Sequence, residues 1–527
     1  MVVFVLLKIN IMKKNIFVIG LLAFMSMATS CDDLLTLESP DQLTSTTFWR
    51  NKEDAEKGIA SAYSQLENSN SFWDFAEVKW PVEAYREDLY ALGNDASNYL
   101  EWVQLNKFTY NNGNYQLFLY WRNCYRGLNY SNQVIEKVLE MTEDKIDANS
   151  KKTILGEAYF LRAYYHFKLI LNWEKIIIRD KYVTNAADLI KGLSPREEAW
   201  GLIVSDFERA VDMLPEARIN AELGRATSHA ANAYLGFSCL TLAWEQPSQK
   251  ADYLLKAQTA LESIKGFDLE KDFLSMFDGT NENSKESIFE LQFSMTSDNN
   301  ASYSIPLHFW MATQELGGWD EILPNQRLMD EFKKEGKIAT TGRYDSRLYA
   351  SVFFSDDYFN DGTGKVYGTD YRERFIVKDE DGNPIPGTEY DRPSMRKYLP
   401  KSISDFNLES TGLNIPLMRY SNVLLMLAEV YAQQDQQAKA IPLINRVRER
   451  ADMPAMTGTT KEQVMAQIEH ERILEFTLEN FRFYDLRRWG KAKEALHAAG
   501  RLDFDPSKHN FYPVPLREVN ANPAVSE

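Results

Sequence analysis

Apolar residues recur at intervals of three and four positions along two long parts of the chain. An early example is the series Ile59, Tyr63 and Leu66. Such spacing places apolar side chains along one face of a helix. We therefore predict a mainly α protein whose helical scaffold occupies residues 51–266 and resumes, with an extended tail, over residues 414–527.

The helical spacing fails between residues 267 and 413, where Gly, Asn, Asp and Pro accumulate. Short runs at 287–293 and 374–378 have the composition of strands. The sequence Asp-Glu-Asp-Gly-Asn at 379–383 is typical of a hairpin turn. We predict a loop-rich insert with short strands, which separates the two parts of the scaffold.

Parts of the helical regions resemble each other. Small residues recur where two helices of a pair would meet, as at Gly156 and Gly236, and aromatic residues recur beside them. This arrangement is typical of tetratricopeptide-like repeats, in which stacked helix pairs build a continuous core. Ordinary helix packing without a repeat is the alternative. Residues that match the repeat pattern are Leu155, Gly156, Tyr159, Phe207, Ala210 and Pro215.

The first 30 residues have the layout of a secretory signal. Lys13 and Lys14 precede an apolar run over residues 16–25, and small residues at 28–30 come directly before Cys31. This order of charge, apolar core and small residues is that of a cleaved signal peptide, and Met12 is a possible true start. A cysteine at this place resembles a bacterial lipobox, which implies that Cys31 carries a lipid.

The polar residues that follow Cys31 predict a tether over residues 31–50. One long membrane helix is the alternative reading of the amino terminus, but Lys8, Lys13 and Lys14 divide it into pieces too short to cross a bilayer of roughly 30 Å. No later segment of the sequence is apolar over such a length. We predict a soluble body that is anchored to a membrane only by its lipid.

The chain is strongly acidic. Its formal net charge is −17, and removal of residues 1–30 takes away three lysines and no acid, which leaves −20. A surface of this sign repels phosphate backbones, so we expect no nucleic acid partner.

Neither metal nor disulfide chemistry is indicated. The six histidines lack the spacing of a zinc site, and the loop that contains Asp357 and Asp361 departs from the calcium-loop pattern, although bound calcium is not excluded. Cys124 and Cys239 could pair, but their apolar helical surroundings favour buried free thiols. We predict no cofactor and no metal ligand.

The carboxyl-terminal part carries a specific signature. Residues 471–476 read Glu-Arg-Ile-Leu-Glu-Phe, and residues 481–490 read Phe-Arg-Phe-Tyr-Asp-Leu-Arg-Arg-Trp-Gly. Gly-Glu-Ala-Tyr-Phe-Leu-Arg-Ala-Tyr occupies 156–164, and Lys-Glu-Ser-Ile-Phe-Glu occupies 285–290. With the lipobox, these stretches resemble the SusD/RagB family of surface nutrient-binding lipoproteins of Bacteroidetes.

The resemblance implies a scaffold of about four tetratricopeptide-like helix pairs with a loop-rich insert packed across it. It also implies a place on the extracellular face of the outer membrane, anchored through Cys31, above a SusC-like TonB-dependent transporter. The usual cargo of the family is an oligosaccharide, and some relatives serve peptide uptake.

Sugars present an apolar C–H face and a rim of hydroxyls, so aromatic rings with polar neighbours in the irregular segments are the candidates for binding. Two clusters fit, and the family places its stacking rings in the corresponding segments. Core packing is the alternative for each ring. The predicted ligand-binding residues are Trp73, Trp80, Asp95, Asn98, Tyr99 and Trp102 in the first cluster, and Tyr303, Trp310 and Trp319 in the second.

An enzyme is not predicted. Glycoside hydrolysis needs two carboxylates at a set separation, and among 76 acidic residues no sequence pair can be singled out. The sequence has no nucleophile elbow and no Walker-type phosphate loop. The remaining alternatives are a peptide or another nutrient as cargo, and an intracellular repeat adaptor that binds protein tails.

Overall fold

The structure, a computed structural model, describes residues 48–67, 79–295, 304–389 and 392–525. The predicted signal and lipid attachment site at Cys31 lie outside these residues, as do Trp73 and Tyr303. In the described part of the chain, every helix is too short or too polar to span a bilayer.

The amino-terminal scaffold is built almost entirely from helices, as the periodicity predicts. Its elements are α1 (Lys52–Ser64), α2 (Trp80–Ala84), β1 (Tyr90–Leu92), α3 (Leu100–Lys107), α4 (Tyr115–Glu140), α5 (Ala148–Asn172), α6 (Arg196–Met213), α7 (Ser228–Glu245) and α8 (Lys250–Glu262). Polar caps define several of the starts: the Asn114 side chain accepts hydrogen bonds from the first backbone amides of α4, and Thr227 caps α7 in the same way.

The middle of the chain contains short elements joined by loops, which confirms the predicted strands near residues 287 and 376. The elements are β2 (Ser287–Leu291), α9 (Leu307–Met311), β3 (Ile322–Pro324), α10 (Gln326–Lys333), α11 (Ser346–Ser351), β4 (Val352–Phe353), α12 (Asp357–Asn360), α13 (Tyr371–Arg374), β5 (Ile376–Lys378), β6 (Pro384–Glu389), β7 (Ser394–Met395) and α14 (Ile403–Phe406). Strands β5 and β6 pair antiparallel around residues 379–383, so the predicted hairpin is confirmed.

Helices return after residue 414. The elements are β8 (Ile415–Arg419), α15 (Tyr420–Gln433), α16 (Gln437–Arg450), α17 (Lys461–Glu475), α18 (Arg482–Arg488), α19 (Ala492–Ala498), α20 (Pro506–His509) and α21 (Leu516–Ala521). A capping box between Thr460 and Gln463 begins α17. The mainly α class predicted from the sequence is therefore confirmed.

The long helices pack in chain order. Helix α4 packs on α5, α5 on α6, α6 on α7 and α7 on α8, while α15 packs on α8, α16 and α17. Gly236 of α7 allows a close approach, because a Cβ atom there would lie 2.6 Å from the Leu261 side chain of α8. The predicted role of small residues between paired helices is confirmed at this position.

One joint between the insert and the scaffold is a pair of strands. Strand β2, which opens the insert, pairs antiparallel with β8, which follows it, so that Ser287 lies opposite Arg419. Phe289 of β2 then packs its ring edge-on against Phe160 of α5, with 5.1 Å between ring centroids. The insert therefore leaves and rejoins the helical core at adjacent strands.

The specific residues at the carboxyl end belong to the interior of this scaffold. Glu471 and Glu475 of α17 are fully buried and receive four arginines from the insert, β8 and α16. Arg472 pairs with Asp485 at 2.6 Å, and both side chains are buried. The signature at 471–490 thus helps to hold the insert and the scaffold together.

Candidate functional site

The two predicted clusters meet at one edge of the molecule. Strand β1 of the first segment pairs antiparallel with β3 of the second, so that Leu92 lies opposite Ile322. The Gly93 amide donates to the Glu321 carbonyl at 3.1 Å, which continues the ladder by one residue. Segments that are more than 200 residues apart in sequence therefore form a single surface.

The approach of the two backbones depends on Gly93. A Cβ atom at this position would lie 1.7 Å from the main-chain oxygen of Asp320, a separation that no side chain tolerates. The Asn94 amide then donates to Asp320 Oδ2 at 2.9 Å. The turn after β1 is thus fixed to the segment that carries Trp319.

Tyr99 is the exposed ring of the first segment. Its side chain is 47% exposed, and it stacks on Trp102 with 4.4 Å between centroids and an interplanar angle of 33°. Asn98 beside it is exposed and donates from Nδ2 to Asp95 Oδ1 at 3.3 Å. An outward ring with an amide and a carboxylate next to it is the combination that the sequence predicts for sugar contact.

Trp319 is the corresponding ring of the second segment. It is half-buried and packs against Phe309, with 5.5 Å between centroids. The Trp319 amide donates to the Phe309 carbonyl at 2.8 Å, which fixes the backbone that presents the ring. Tyr99 and Trp319 are therefore the predicted aromatic residues in the described part of the chain that reach the surface.

Three of the predicted ligand-binding rings are buried, so the alternative of core packing applies to them and their assignment to ligand contact is corrected. Trp80, Trp102 and Trp310 are 2%, 3% and 0% exposed. Trp102 lies between Tyr99 and Trp310, and Trp80 packs edge-on against Tyr398 at 5.5 Å. Burying a large ring in such contacts stabilises the fold, and a ring so covered offers no open face to a sugar. We assign Trp102 and Trp310 to the support of the surface and Trp80 to the core.

Asp88, which lies in the chain between Trp80 and Asp95, is also internal. It forms ion pairs with Arg482 at 2.9 Å and with Arg327 at 2.8 Å, and its side chain is fully buried. These guanidinium groups lower the pKa of the Asp88 carboxyl although burial raises it. Asp88 therefore attaches the site segment to the scaffold.

Arg392 is a component of the site that the sequence did not indicate. Its guanidinium pairs with Glu315 at 3.1 Å and forms a second ion pair with Asp320. Burial lowers the pKa of Arg392, but these two carboxylates raise it more. Arg392 lies 72 positions from Asp320 in sequence, so no local pattern could have connected the two.

The histidine of α9, the helix behind the site, stays neutral. Burial lowers the pKa of His308 in α9 to about 4, and His308 Nε2 lies 3.1 Å from the Leu408 carbonyl, to which it donates. Together with the paired carboxylates, a neutral histidine leaves hydrogen-bonding groups and apolar rings as the chemistry that the surface offers. Such a surface suits binding of a hydroxylated ligand.

Among the described residues, the histidines and cysteines form no site that is a better candidate than this surface. Glu335, His470 and Glu471 come close enough to hold a metal ion, but Arg448 donates to both carboxylates at 2.8 and 2.7 Å and occupies that position. Cys124 and Cys239 are buried and free, which confirms the favoured interpretation.

Comparison with known families matches both parts of the chain. Residues 285–527 match the SusD family, and residues 35–238 match a family described as starch-binding and associating with the outer membrane. The chain is 25% identical over 538 residues to SusD-like protein P38 of Formosa agariphila, with 98% of each chain covered. A SusD-like protein of Bacteroides ovatus is 23% identical over 497 residues, which cover 91% of this chain and 83% of that protein.

Solved structures show the same fold. A SusD superfamily protein from Bacteroides vulgatus superposes with a TM-score of 0.78 at 26% identity, covering 91% of this chain and 99% of the other. A laminarin-binding SusD-like protein superposes with a TM-score of 0.71 at 20% identity, with the same coverage.

Proposed function

The chain belongs to the SusD family, and on this premise we propose that it binds oligosaccharides at the edge where β1 meets β3. In this proposal the rings of Tyr99 and Trp319 contact the apolar faces of the sugar. Asp95, Asn98 and their polar neighbours contact its hydroxyls. The protein acts by binding and not by catalysis, as its family does.

One observation carries the proposal. The β1–β3 ladder joins two separately predicted segments and leaves one ring of each at the surface, packed against the buried Trp102 and the half-buried Phe309. A surface of rigid rings with hydrogen-bonding groups at its border can hold a ligand whose faces are apolar and whose rim is polar. The laminarin-binding relative agrees with this class of ligand.

Isothermal titration against a panel of oligosaccharides tests the proposal. We expect Tyr99→Ala and Trp319→Ala each to weaken binding at least tenfold without a change in the far-UV circular dichroism spectrum. Tyr115→Ala is the matched control, because Tyr115 is 41% exposed but belongs to α4, outside the β1–β3 edge. Binding of peptides and of no oligosaccharide by the wild-type protein would support the alternative cargo.

We also propose that the protein is anchored through a lipid on Cys31. The signal layout supports this, and the family description of outer-membrane association agrees with it. Metabolic labelling with a palmitate analogue should mark the wild-type protein and not Cys31→Ala. Absence of label on the wild type would contradict the anchor and revive the intracellular adaptor.

The proposed partner is a SusC-like TonB-dependent transporter, to which the protein delivers its cargo. We expect the helical scaffold to dock, because stacked helix pairs present a broad and rigid surface. Leu139 of α4 and Leu255 of α8 are 53% and 59% exposed on this scaffold. Leu139→Arg and Leu255→Arg should reduce co-purification with the transporter from detergent-solubilised outer membranes. Ile385→Arg in the insert hairpin is the control, and loss of the complex in that variant alone would contradict the orientation.

A further inference from the structure

A second cleft lies between the insert and the end of α16. Its volume is about 560 Å³, within the range of small-molecule binding sites. The cleft is lined by residues from 271–278, α11, β4, 358–368, 396–401 and 449–452. None of the predicted ligand-binding residues is among the residues that line this cleft.

Aromatic side chains form part of the cleft wall. Tyr358 and Tyr367 are half-buried, so part of each ring faces solvent. Tyr358 packs edge-on against Tyr349 at 4.8 Å, and the Tyr367 hydroxyl donates to the Pro400 carbonyl at 2.9 Å. The wall is therefore held in place before any ligand enters.

Arg396 supplies a strong donor in the same cleft. Its guanidinium donates from Nη1 to the Tyr349 carbonyl at 2.6 Å and lies over the Phe353 ring at 5.1 Å. Over the ranges that the structure describes, Arg396 forms no ion pair with a carboxylate. Burial lowers the pKa of this arginine, and hydrogen bonds from a desolvated cation are stronger than those made in water.

Asp278 supplies the matching acceptor. Its side chain is buried, and Oδ1 accepts from the Thr280 amide at 3.0 Å. A sugar hydroxyl can donate to a carboxylate and accept from a guanidinium at the same time. Arg396 and Asp278 are not paired with each other, so both can serve neighbouring hydroxyls of one ring.

The remaining charges in the cleft nearly balance. Arg450 is committed to Glu286 and Glu475, and Lys365 pairs with Asp370. A cleft with both signs in similar number does not select a charged ligand. The other charged residues that line it are Lys271, Lys401, Asp272, Glu449 and Asp452.

We infer that this cleft is a second carbohydrate site, in which the Tyr358 and Tyr367 rings contact the apolar face of a neutral sugar and the Arg396 guanidinium and Asp278 carboxylate bond to its hydroxyls. The inference takes the class of ligand from the proposed function, but the location of the second site does not depend on that proposal. The cleft is near the first surface: Trp319, Phe309, Phe406 and Tyr367 form a series of rings with centroid separations of 5.5, 5.6 and 5.4 Å.

The test uses a variant in which the two exposed rings of the first surface are replaced by alanine. In the Tyr99→Ala/Trp319→Ala variant, saturation-transfer NMR with maltotriose, laminaritriose, cellotriose and mannotriose should still detect binding of at least one trisaccharide. Adding Asp278→Asn, which keeps an acceptor for Thr280, should weaken that binding at least tenfold. Asp361→Asn is the matched control, because Asp361 is exposed on the insert and does not line the cleft.

Three outcomes would overturn the inference. Neutral trisaccharides that bind the wild type but not the double variant leave the proposed function intact and remove the second site. Binding of trigalacturonate alone to the double variant contradicts a neutral ligand. No binding of any sugar to the wild type removes both proposals. If Asp278→Asn does not fold, Arg396→Lys and Tyr358→Leu should give the same loss.

Discussion

Arg347 of the insert donates to Glu471 of the scaffold across 2.7 Å, and both side chains are fully buried. Arg347 also reaches Glu475, while Glu471 also accepts from Arg448. Removing one partner of a buried pair leaves the other charge without compensation, which typically costs about 3–5 kcal/mol. The junction between insert and scaffold therefore depends on charges that water does not reach.

We expect Glu471→Gln to lower the free energy of unfolding by about 3 kcal/mol, because Arg347 and Arg448 each lose one buried charged acceptor. Urea denaturation followed by circular dichroism measures this change. Asp268→Asn is the control, since the pair of Asp268 with Arg446 is exposed and such pairs contribute about 0–1 kcal/mol. Equal effects of the two substitutions would contradict the importance of the buried junction.

His470 makes stability depend on pH. It lies 2.6 Å from Glu331 and 3.2 Å from Glu335, and although burial lowers its pKa, these carboxylates raise it above the ordinary 6.5. The charged imidazole is thus favoured in the folded state. Its contribution is complete below about pH 6.5 and disappears as the pH rises through the raised pKa.

The pH dependence that His470 causes can be measured directly. The difference in unfolding free energy between the wild type and His470→Gln should be larger near pH 6 than near pH 9, on the two sides of the titration. Glu331→Gln should flatten this dependence, since the pKa of Glu331 is lowered to about 2 chiefly by its hydrogen bond with His470, against burial. A difference that grows with pH would show that the histidine is neutral when folded.

Variants of Trp102 distinguish a ring that supports the surface from a ring that contacts the ligand. Its ring is buried, so Trp102→Ala should destabilise the protein by about 3–5 kcal/mol through the cavity it leaves. Trp102→Phe retains most of the ring and should keep both the fold and oligosaccharide binding. Thermal unfolding and titration of the two variants check this. Loss of binding in Trp102→Phe with an unchanged melting temperature would place the ring in contact with the ligand.

Arg392 positions the segment that carries Trp319. Arg392→Lys keeps the charge but cannot hold Glu315 and Asp320 with one planar group. We expect oligosaccharide affinity to fall about tenfold, or about 1.4 kcal/mol. Arg372→Lys, at an exposed arginine of α13, serves as the control in the same titration. An unchanged affinity in Arg392→Lys would show that the edge is held by its backbone alone.

The two cysteines of the body should be unreactive in the native protein. Burial raises the pKa of both Cys124 and Cys239 to about 12, so neither forms the thiolate that attacks a reagent. A thiol reagent should modify both only after urea unfolds the protein. Rapid modification of either residue in buffer would indicate that its helix opens locally.

The sequence predicted what depends on local spacing. Helix α1 follows from the apolar periodicity of its residues, and the hairpin at 379–383 follows from its turn residues. These features are set by residues near each other in the chain. The family resemblance likewise rested on contiguous stretches that the comparisons confirm.

The candidate site was predicted less completely, because exposure is set by tertiary packing. Nothing local distinguishes Tyr99, which is exposed, from Trp102 three residues later, which lies beneath it. The pairing of Arg392 with Asp320 and the contact of Gly93 with Asp320 are long-range and left no signal in spacing. The aromatic composition identified the segments that form the surface, but not which of their rings are exposed.

The pairing of β2 with β8 has an evolutionary consequence. Because the intervening 120 or so residues begin and end at one hydrogen-bonded ladder, loops within them that make no contact with the scaffold can lengthen or shorten while the helices keep their geometry. The entropic cost of closing a longer loop grows by only about 0.6 kcal/mol for each doubling in length. Descendants of one ancestor can therefore differ in the length of these loops while they retain the buried contacts, such as Arg347 with Glu471, that join the insert to the helices.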